Sequence, residues 1–148
     1  ADLVSDALAS ADALARARGV RLVGRPGGPI VVRADGRELS RVLTNLVINA
    51  IRHTPVDGTV AVLAGPSADG AVLEVTDGCG GIPEPDLARL FDVGWRGTPA
   101  RTPGPDGGTG LGLAIARGIV EAHDGSLTVA NAGRGCRFQI HLPNPGIG

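Results

Sequence analysis

Apolar positions recur along this chain with two periods, and the changes between them predict the elements. Over residues 1–18, Leu3, Ala7, Ala11, Leu14 and Ala15 fall on one helical face, Asp2, Asp6, Asp12, Arg16 and Arg18 lie largely elsewhere, and Gly19 follows as a stop. Residues 20–23 and 30–33 are short β-type runs separated by Gly24-Arg25-Pro26-Gly27-Gly28-Pro29, which is turn chemistry throughout and predicts a small hairpin. Asp35 with Glu38 resembles a capping box, and Leu39, Val42, Leu43, Leu46, Val47 and Ala50 then share a helical face until about His53, before Pro55 stops the helix. Residues 59–64 and 71–76 alternate or run apolar around a Gly- and Pro-containing link and read as an antiparallel pair. A short helix is expected over 84–91, a long loop over 92–108, a helix over 109–123, and two strands over 126–130 and 136–142. In the last helix, Leu111, Ile115 and Ile119, with Leu113 and Val120 nearby, are expected to face the core.

Composition narrows the function classes. At 148 residues the chain fits one domain. A net charge of −1 gives no electrostatic reason to bind nucleic acid or an acidic membrane, so any anion must be held locally. With two Phe, one Trp and no Tyr, aromatic platforms for single-stranded nucleic acid are missing and the core must be aliphatic. All of the 14 basic residues are Arg, which suggests a GC-rich genome. Cys79 and Cys136 are too few for a disulfide framework and lack metal-ligand spacing, so a reducing cytoplasm is the simpler assumption. No two histidines are spaced to share a metal on one element. The chain lacks a starting Met, a signal peptide and a membrane-length apolar run, and is expected to be cut from something longer.

Three stretches carry candidate chemistry. Asp106-Gly107-Gly108-Thr109-Gly110-Leu111-Gly112-Leu113 runs a glycine-rich loop straight into a helix, whose first N–H groups and positive dipole end suit phosphate. It is not a Walker loop, because no Lys follows the last glycine. Asn45, Asn49, Arg52 and His53 lie on or beside one stripe of the second helix. Asn is a poor helix former, and its amide oxygen is a good ligand for a hard cation. Asp77 at a strand end is followed by Gly78, Gly80 and Gly81, a composition that lets backbone pass under a flat ligand while the acid accepts a hydrogen bond. Residues 92–108, rich in Gly, Pro and Thr, read as a mobile lid.

In this order and spacing the segments resemble the ATP-binding catalytic domain of bacterial sensor histidine kinases, in the superfamily shared with gyrase, mismatch-repair ATPases and the ninety-kilodalton heat-shock chaperone. Asn45-Leu46-Val47-Ile48-Asn49-Ala50-Ile51-Arg52-His53-Thr54-Pro55 resembles the family's asparagine box, the segment 77–83 its first glycine box, Leu90-Phe91-Asp92 its phenylalanine box, and 107–113 its second glycine box. Gly133-Arg134-Gly135-Cys136-Arg137-Phe138 resembles the closing glycine segment. The resemblance covers nearly the whole chain.

It implies the Bergerat fold: a two-layer α/β sandwich in which a mixed, mostly antiparallel sheet is covered on one face by three helices, with an ATP lid. It implies ATP and Mg2+ as cofactors, with Asn49 as the metal ligand and Asn45 supporting it. Asn49 and Arg52 are then the catalytic candidates, Arg52 reaching a phosphate. His53 would lie against adenine or ribose, Asp77 would bond the exocyclic amine of adenine and so select ATP over GTP, and Gly81 and Ile82 would line the base. The N–H groups of Gly108, Thr109, Gly110, Leu111, Gly112 and Leu113 would hold phosphates, and Arg96 or Arg101 would touch the γ-phosphate. Cys79 departs from the usual Gly and is explained by packing.

The resemblance also implies a phosphoacceptor histidine on a separate dimeric helical hairpin absent from this chain, and a downstream response regulator. The whole protein is expected to be a homodimer, with this piece a monomeric cytoplasmic domain of a membrane-bound sensor kinase. Alone it is expected to bind ATP without completing autophosphorylation. Asn45 stands where ATPase relatives carry the Glu that activates water, which disfavours rapid hydrolysis. A serine kinase of the anti-sigma-factor type and a noncatalytic nucleotide-sensing module are the alternatives.

Overall fold

The computed structural model describes residues 2–26, 36–78, 111–132 and 135–143. Their elements run helix α1 (Asp2–Arg18), strand β1 (Arg21–Pro26), helix α2 (Gly36–His53), strands β2 (Thr59–Ser67) and β3 (Gly70–Asp77), helix α3 (Leu111–Ala122), and strands β4 (Ser126–Ala132) and β5 (Gly135–Pro143). The strands make one sheet in the order β1-β2-β3-β5-β4. Only β1 and β2 are parallel; the other three pairs are antiparallel. The expected two-layer α/β sandwich with a mixed, mostly antiparallel sheet is therefore the observed one.

Alternation along the strands decides which face is covered. Val60 and Val62 of β2, Leu73 and Val75 of β3, and Phe138 and Ile140 of β5 are buried and form one cluster with helix residues. On the opposite face of the sheet Glu74 Oε1 accepts a hydrogen bond from Gln139 Nε2 at 2.8 Å and lies 3.7 Å from Arg137 Nε. Helix α2 contributes Leu39, Val42, Leu43, Leu46, Val47, Ala50 and Ile51, all without exposed surface, which is the stripe the helical period predicts with Ile51 added. Helix α1 packs beside it through Ala7, Ala11 and Ala15, whose small side chains let the two helix backbones approach. Gly19 closes α1 with φ +67°, its N–H donating to Arg16 and that of Val20 to Ala15, a Schellman cap.

Three expectations are corrected. Strand β1 continues through Gly24 to Pro26, and its described partner is β2, in parallel, with Arg21 opposite Thr59 and Pro26 opposite Ala64. Residues 30–33 of the expected hairpin lie outside the described residues. Gly24 belongs in the strand because α1 crosses it there: a Cβ would stand 2.7 Å from Leu8 Cδ1. Among the described strands β1 is the outermost, a place where a Pro such as Pro26 is tolerated.

In α3 the inward face is Ala116 and Val120, with Leu113 and Ile119 packed beside them, whereas Ile115 is 49% exposed. A small alanine at the interface carried too weak an apolar signal to fix the phase of the helix. Cys136, expected to be reduced, is disulfide-bonded. Pairing of β3 with β5 sets it opposite Asp77, 59 residues away in sequence. The chain's other cysteine, Cys79, lies outside the described residues.

Because Leu46 is fully buried at the centre of the α2 face, Leu46→Ala is expected to lower stability by ~2–5 kcal/mol. Urea unfolding checks this as a fall in midpoint with unchanged slope.

Candidate functional site

The helical period that buries one face of α2 also sets what its border carries. Taking ~100° per residue, Asn45, Asn49, Arg52 and His53 span an arc of roughly 100° flanking the apolar stripe. All four are half-buried, so they stand at the rim of the helix layer. Next in the chain comes Thr54, 6% exposed and the single buried polar residue among those described. Its hydroxyl donates to the Ala50 carbonyl at 2.8 Å and accepts the Gly78 N–H at 3.3 Å.

Strand β3 delivers Asp77 to the same place. It shares parity with Leu73 and Val75, which face the helices, so its carboxylate turns toward the helix layer at the end of the strand. Asp77 Oδ1 accepts the Cys136 N–H at 3.2 Å, which fixes the carboxylate on one side. Gly135 follows from this closeness, since a Cβ there would run into the Asp77 carbonyl oxygen.

Helix α3 points its N-terminus at the same end of the sheet. Residues 123–125 reverse the chain between α3 and β4, with the Gly125 N–H donating to Val120 and Asp124 at φ 63°, so the helix runs back along the strand it contacts. Twelve helical residues cover ~18 Å against ~23 Å for the seven residues of β4. Leu111 therefore lies toward Asn131, and Asn131 pairs with Cys136, the register partner of Asp77. The first turn of α3, with Leu111, Gly112 and Leu113, presents N–H groups that have no intrahelical acceptor and the positive end of the dipole. Leu113 also packs against the core, which anchors that turn.

The electrostatics match an anion. Arg52 Nε is buried and has no hydrogen-bond partner among the described residues, a state that costs ~1–3 kcal/mol until an acceptor arrives. Among the described residues no group of three or more His, Cys, Asp and Glu side chains could hold a metal ion. A divalent cation at this rim would depend on the Asn49 amide oxygen and on oxygens supplied by its ligand. The remaining histidines have ordinary places: His123 Nδ1 lies 2.8 Å from the Ile119 carbonyl at a helix end, and His141 is exposed on β5. Arg117 pairs with Glu121 at 3.2 Å on the surface of α3.

The Thr54 to Gly78 bond thus sets the end of α2, with Arg52 and His53, beside the Asp77 end of β3; Asn49 and Asn45 follow further back along the same border of the helix, and Leu111, Gly112 and Leu113 begin α3 at the same end of the sheet. Gly81, Ile82, Arg96, Arg101, Gly108, Thr109 and Gly110 lie outside the described residues, as do the expected 84–91 helix and the 92–108 lid. Thr54 was not among the expected site residues. A Thr in the last turn of a helix signals a bond to the carbonyl four residues back, but its contact with Gly78 spans 24 residues and has no local signature. No helix among the described residues is long and apolar enough to cross a membrane.

The family model described as histidine kinase-, DNA gyrase B-, and HSP90-like ATPase matches residues 34–146, and the chain belongs to that family. Membership of this ATPase family implies that the chain binds ATP. The sensor histidine kinase CusS of Escherichia coli K12 is 40% identical over 133 residues, 89% of this chain and 27% of that protein. The mycobacterial sensor histidine kinase MprB has a solved structure with a TM-score of 0.82 and 29% identity, covering 98% of this chain and 96% of the other. A structure of the histidine kinase ThkA in complex with the response regulator TrrA gives a TM-score of 0.78 at 23% identity, covering 97% of this chain and 40% of the other, and shows likeness of fold. The chain spans about a quarter of the length of the curated relatives it matches.

Gly135→Ala is expected to push β5 from β3 beside Asp77, costing ~1–3 kcal/mol of stability. Hydrogen exchange checks the location of the damage: the Cys136 amide is expected to lose protection while amides at the middle of β3 keep theirs.

Proposed function

We propose that this chain is the catalytic domain of a bacterial sensor histidine kinase, which binds Mg-ATP and donates its γ-phosphate to a histidine on a separate helical hairpin. The observation that carries the reading is the unpartnered, buried Arg52 Nε on the stripe that bears Asn49, facing the same sheet end as Asp77. A donor buried without an acceptor, one turn from a hard amide oxygen, fits a phosphate with its cation.

In this reading each side chain has one task. Asn49 gives its amide oxygen to Mg2+, and Asn45 supports it one turn earlier. Mg2+ supplies charge neutralisation between phosphates when bound. Arg52 donates to a phosphate oxygen, and the first-turn N–H groups of α3, continuing the glycine loop from Gly108, hold the rest of the chain of phosphates. Asp77 accepts a hydrogen bond from the exocyclic amine of adenine, His53 lies against the base or ribose, and Gly81 and Ile82 line it. Phosphoryl transfer asks mainly for positioning and charge stabilisation, which this set provides. Asn45 has no proton-accepting carboxylate to activate water, so hydrolysis is slow and the phosphoryl group waits for its acceptor.

The acceptor hairpin, a downstream response regulator, dimerisation of the whole protein and attachment to the cytoplasmic side of a membrane belong to the same proposal. The kinases of the CusS type support it, as does the ThkA–TrrA complex. Incubating the chain with Mg-ATP and its cognate helical hairpin is expected to yield phosphohistidine on the hairpin. Asn49→Ala is expected to reduce that yield by at least about a hundredfold while the unfolding midpoint stays close to wild type. Undiminished transfer in the variant contradicts the magnesium assignment.

A further inference from the structure

Thr54 occupies a position that an apolar residue could fill by shape alone. It sits between α2, the turn to β2 and the end of β3, and its Cγ2 methyl lies where a Cβ on Gly58 would collide and 3.7 Å from where a Cβ on Gly78 would stand. Valine has the same shape and would leave no polar atom to satisfy in a site only 6% exposed. The hydroxyl therefore calls for an explanation beyond packing.

Its bonding leaves no ambiguity of direction. A backbone carbonyl only accepts and a backbone N–H only donates, so the single hydroxyl proton goes to Ala50 and a lone pair receives Gly78. Ala50 follows Asn49 in the chain, and Gly78 follows Asp77. One oxygen atom is thus bonded to the neighbour of the phosphate-side residue and to the neighbour of the base-side residue. The Asp77-Gly78 unit is gripped from both directions: β5 holds the Asp77 carboxylate through the Cys136 N–H, and α2 holds the Gly78 N–H through Thr54.

We propose that Thr54 is a positioning residue for the nucleotide, setting the span between the Asn49 turn of α2 and Asp77 so that one ATP molecule can meet both. The inference rests on the ATP-site reading above. Apolar burial of α2 fixes its distance from the sheet but permits small slides along it, because dispersion contacts are individually weak and non-directional. The Thr54 hydroxyl adds the directional restraint at the one end where the span matters. Without it the Gly78 N–H loses its acceptor and the ligand must restore the spacing out of its own binding energy.

The test uses two substitutions that divide the side chain. Thr54→Val keeps the shape and removes the hydroxyl; Thr54→Ser keeps the hydroxyl and removes the methyl. Calorimetric titration with Mg-ATP, at a temperature where each protein is fully folded, is expected to show affinity about tenfold weaker in Thr54→Val and within about twofold of wild type in Thr54→Ser. Exchange of the Gly78 amide, read without nucleotide, is expected to accelerate in Thr54→Val alone. Wild-type affinity in a folded Thr54→Val, with Asp77→Asn still abolishing binding, overturns the positioning role and leaves the ATP site standing. Absence of ATP binding by the folded wild type overturns both. If Thr54→Val does not fold, Thr54→Ser decides the matter, since a tenfold loss in a variant that retains the hydroxyl overturns the inference.

Discussion

The seating of α2 on the sheet is the constraint from which the site follows. Seven side chains from Leu39 to Ile51 are without exposed surface, and they meet the inward residues of β2, β3 and β5. Burial on this scale, at ~1.5–3 kcal/mol for each fully buried aliphatic side chain, fixes the rotation of the helix about its own axis. Once that rotation is fixed, Asn45, Asn49, Arg52 and His53 have no choice but to line the rim. The polar residues of the site are thus oriented by the apolar residues behind them.

Register supplies the second coordinate. The antiparallel pairs β2 with β3 and β3 with β5 bring Thr76 beside Ala61 and Asp77 beside Cys136, so the start of β2, the end of β3 and the start of β5 share one end of the sheet. Helix α2 ends there, and α3 begins there. A one-residue slip of β3 would turn Asp77 to the far face and carry Glu74, which there meets Gln139 and Arg137, into the helix layer. The chain carries a net charge of only −1, so in the proposed site an anionic ligand would depend on local groups, the Arg52 guanidinium and the α3 N-terminus, and not on a field spread over the molecule.

How much of this could be read from the residues depended on whether the determining contact is local. The α2 stripe was legible because one helix contains both its apolar period and its polar border. The succession β2 to β3 and α3 to β4 was legible for the same reason, through turns at residues 65–70 and 124–125. What escaped is non-local. The described partner of β1 is β2, reached across α2, and turn-forming residues at 24–26 gave no hint of it because Gly24 answers to α1 packing above it. The phase of α3 depended on Ala116, whose burial reflects the closeness of its neighbours and not its own hydrophobicity. The Thr54 to Gly78 bond likewise joins the end of α2 to the end of β3 across 24 residues, and the disulfide state of Cys136 had no local signature.

In the proposed site the rim of α2 and the end of β3 meet one ATP molecule, with Asp77 reading the base. Adenine offers a donor where guanine offers an acceptor, and a carboxylate held by the Cys136 N–H accepts the first and repels the second. The most direct test is calorimetry of the wild type with ATP and with GTP, each with and without Mg2+, repeated for Asp77→Asn. Magnesium-dependent ATP binding is expected, with GTP weaker by about a hundredfold or more and ATP binding lost in the variant. GTP binding as tight as ATP, or an Asp77→Asn protein that binds ATP as the wild type does, would contradict it.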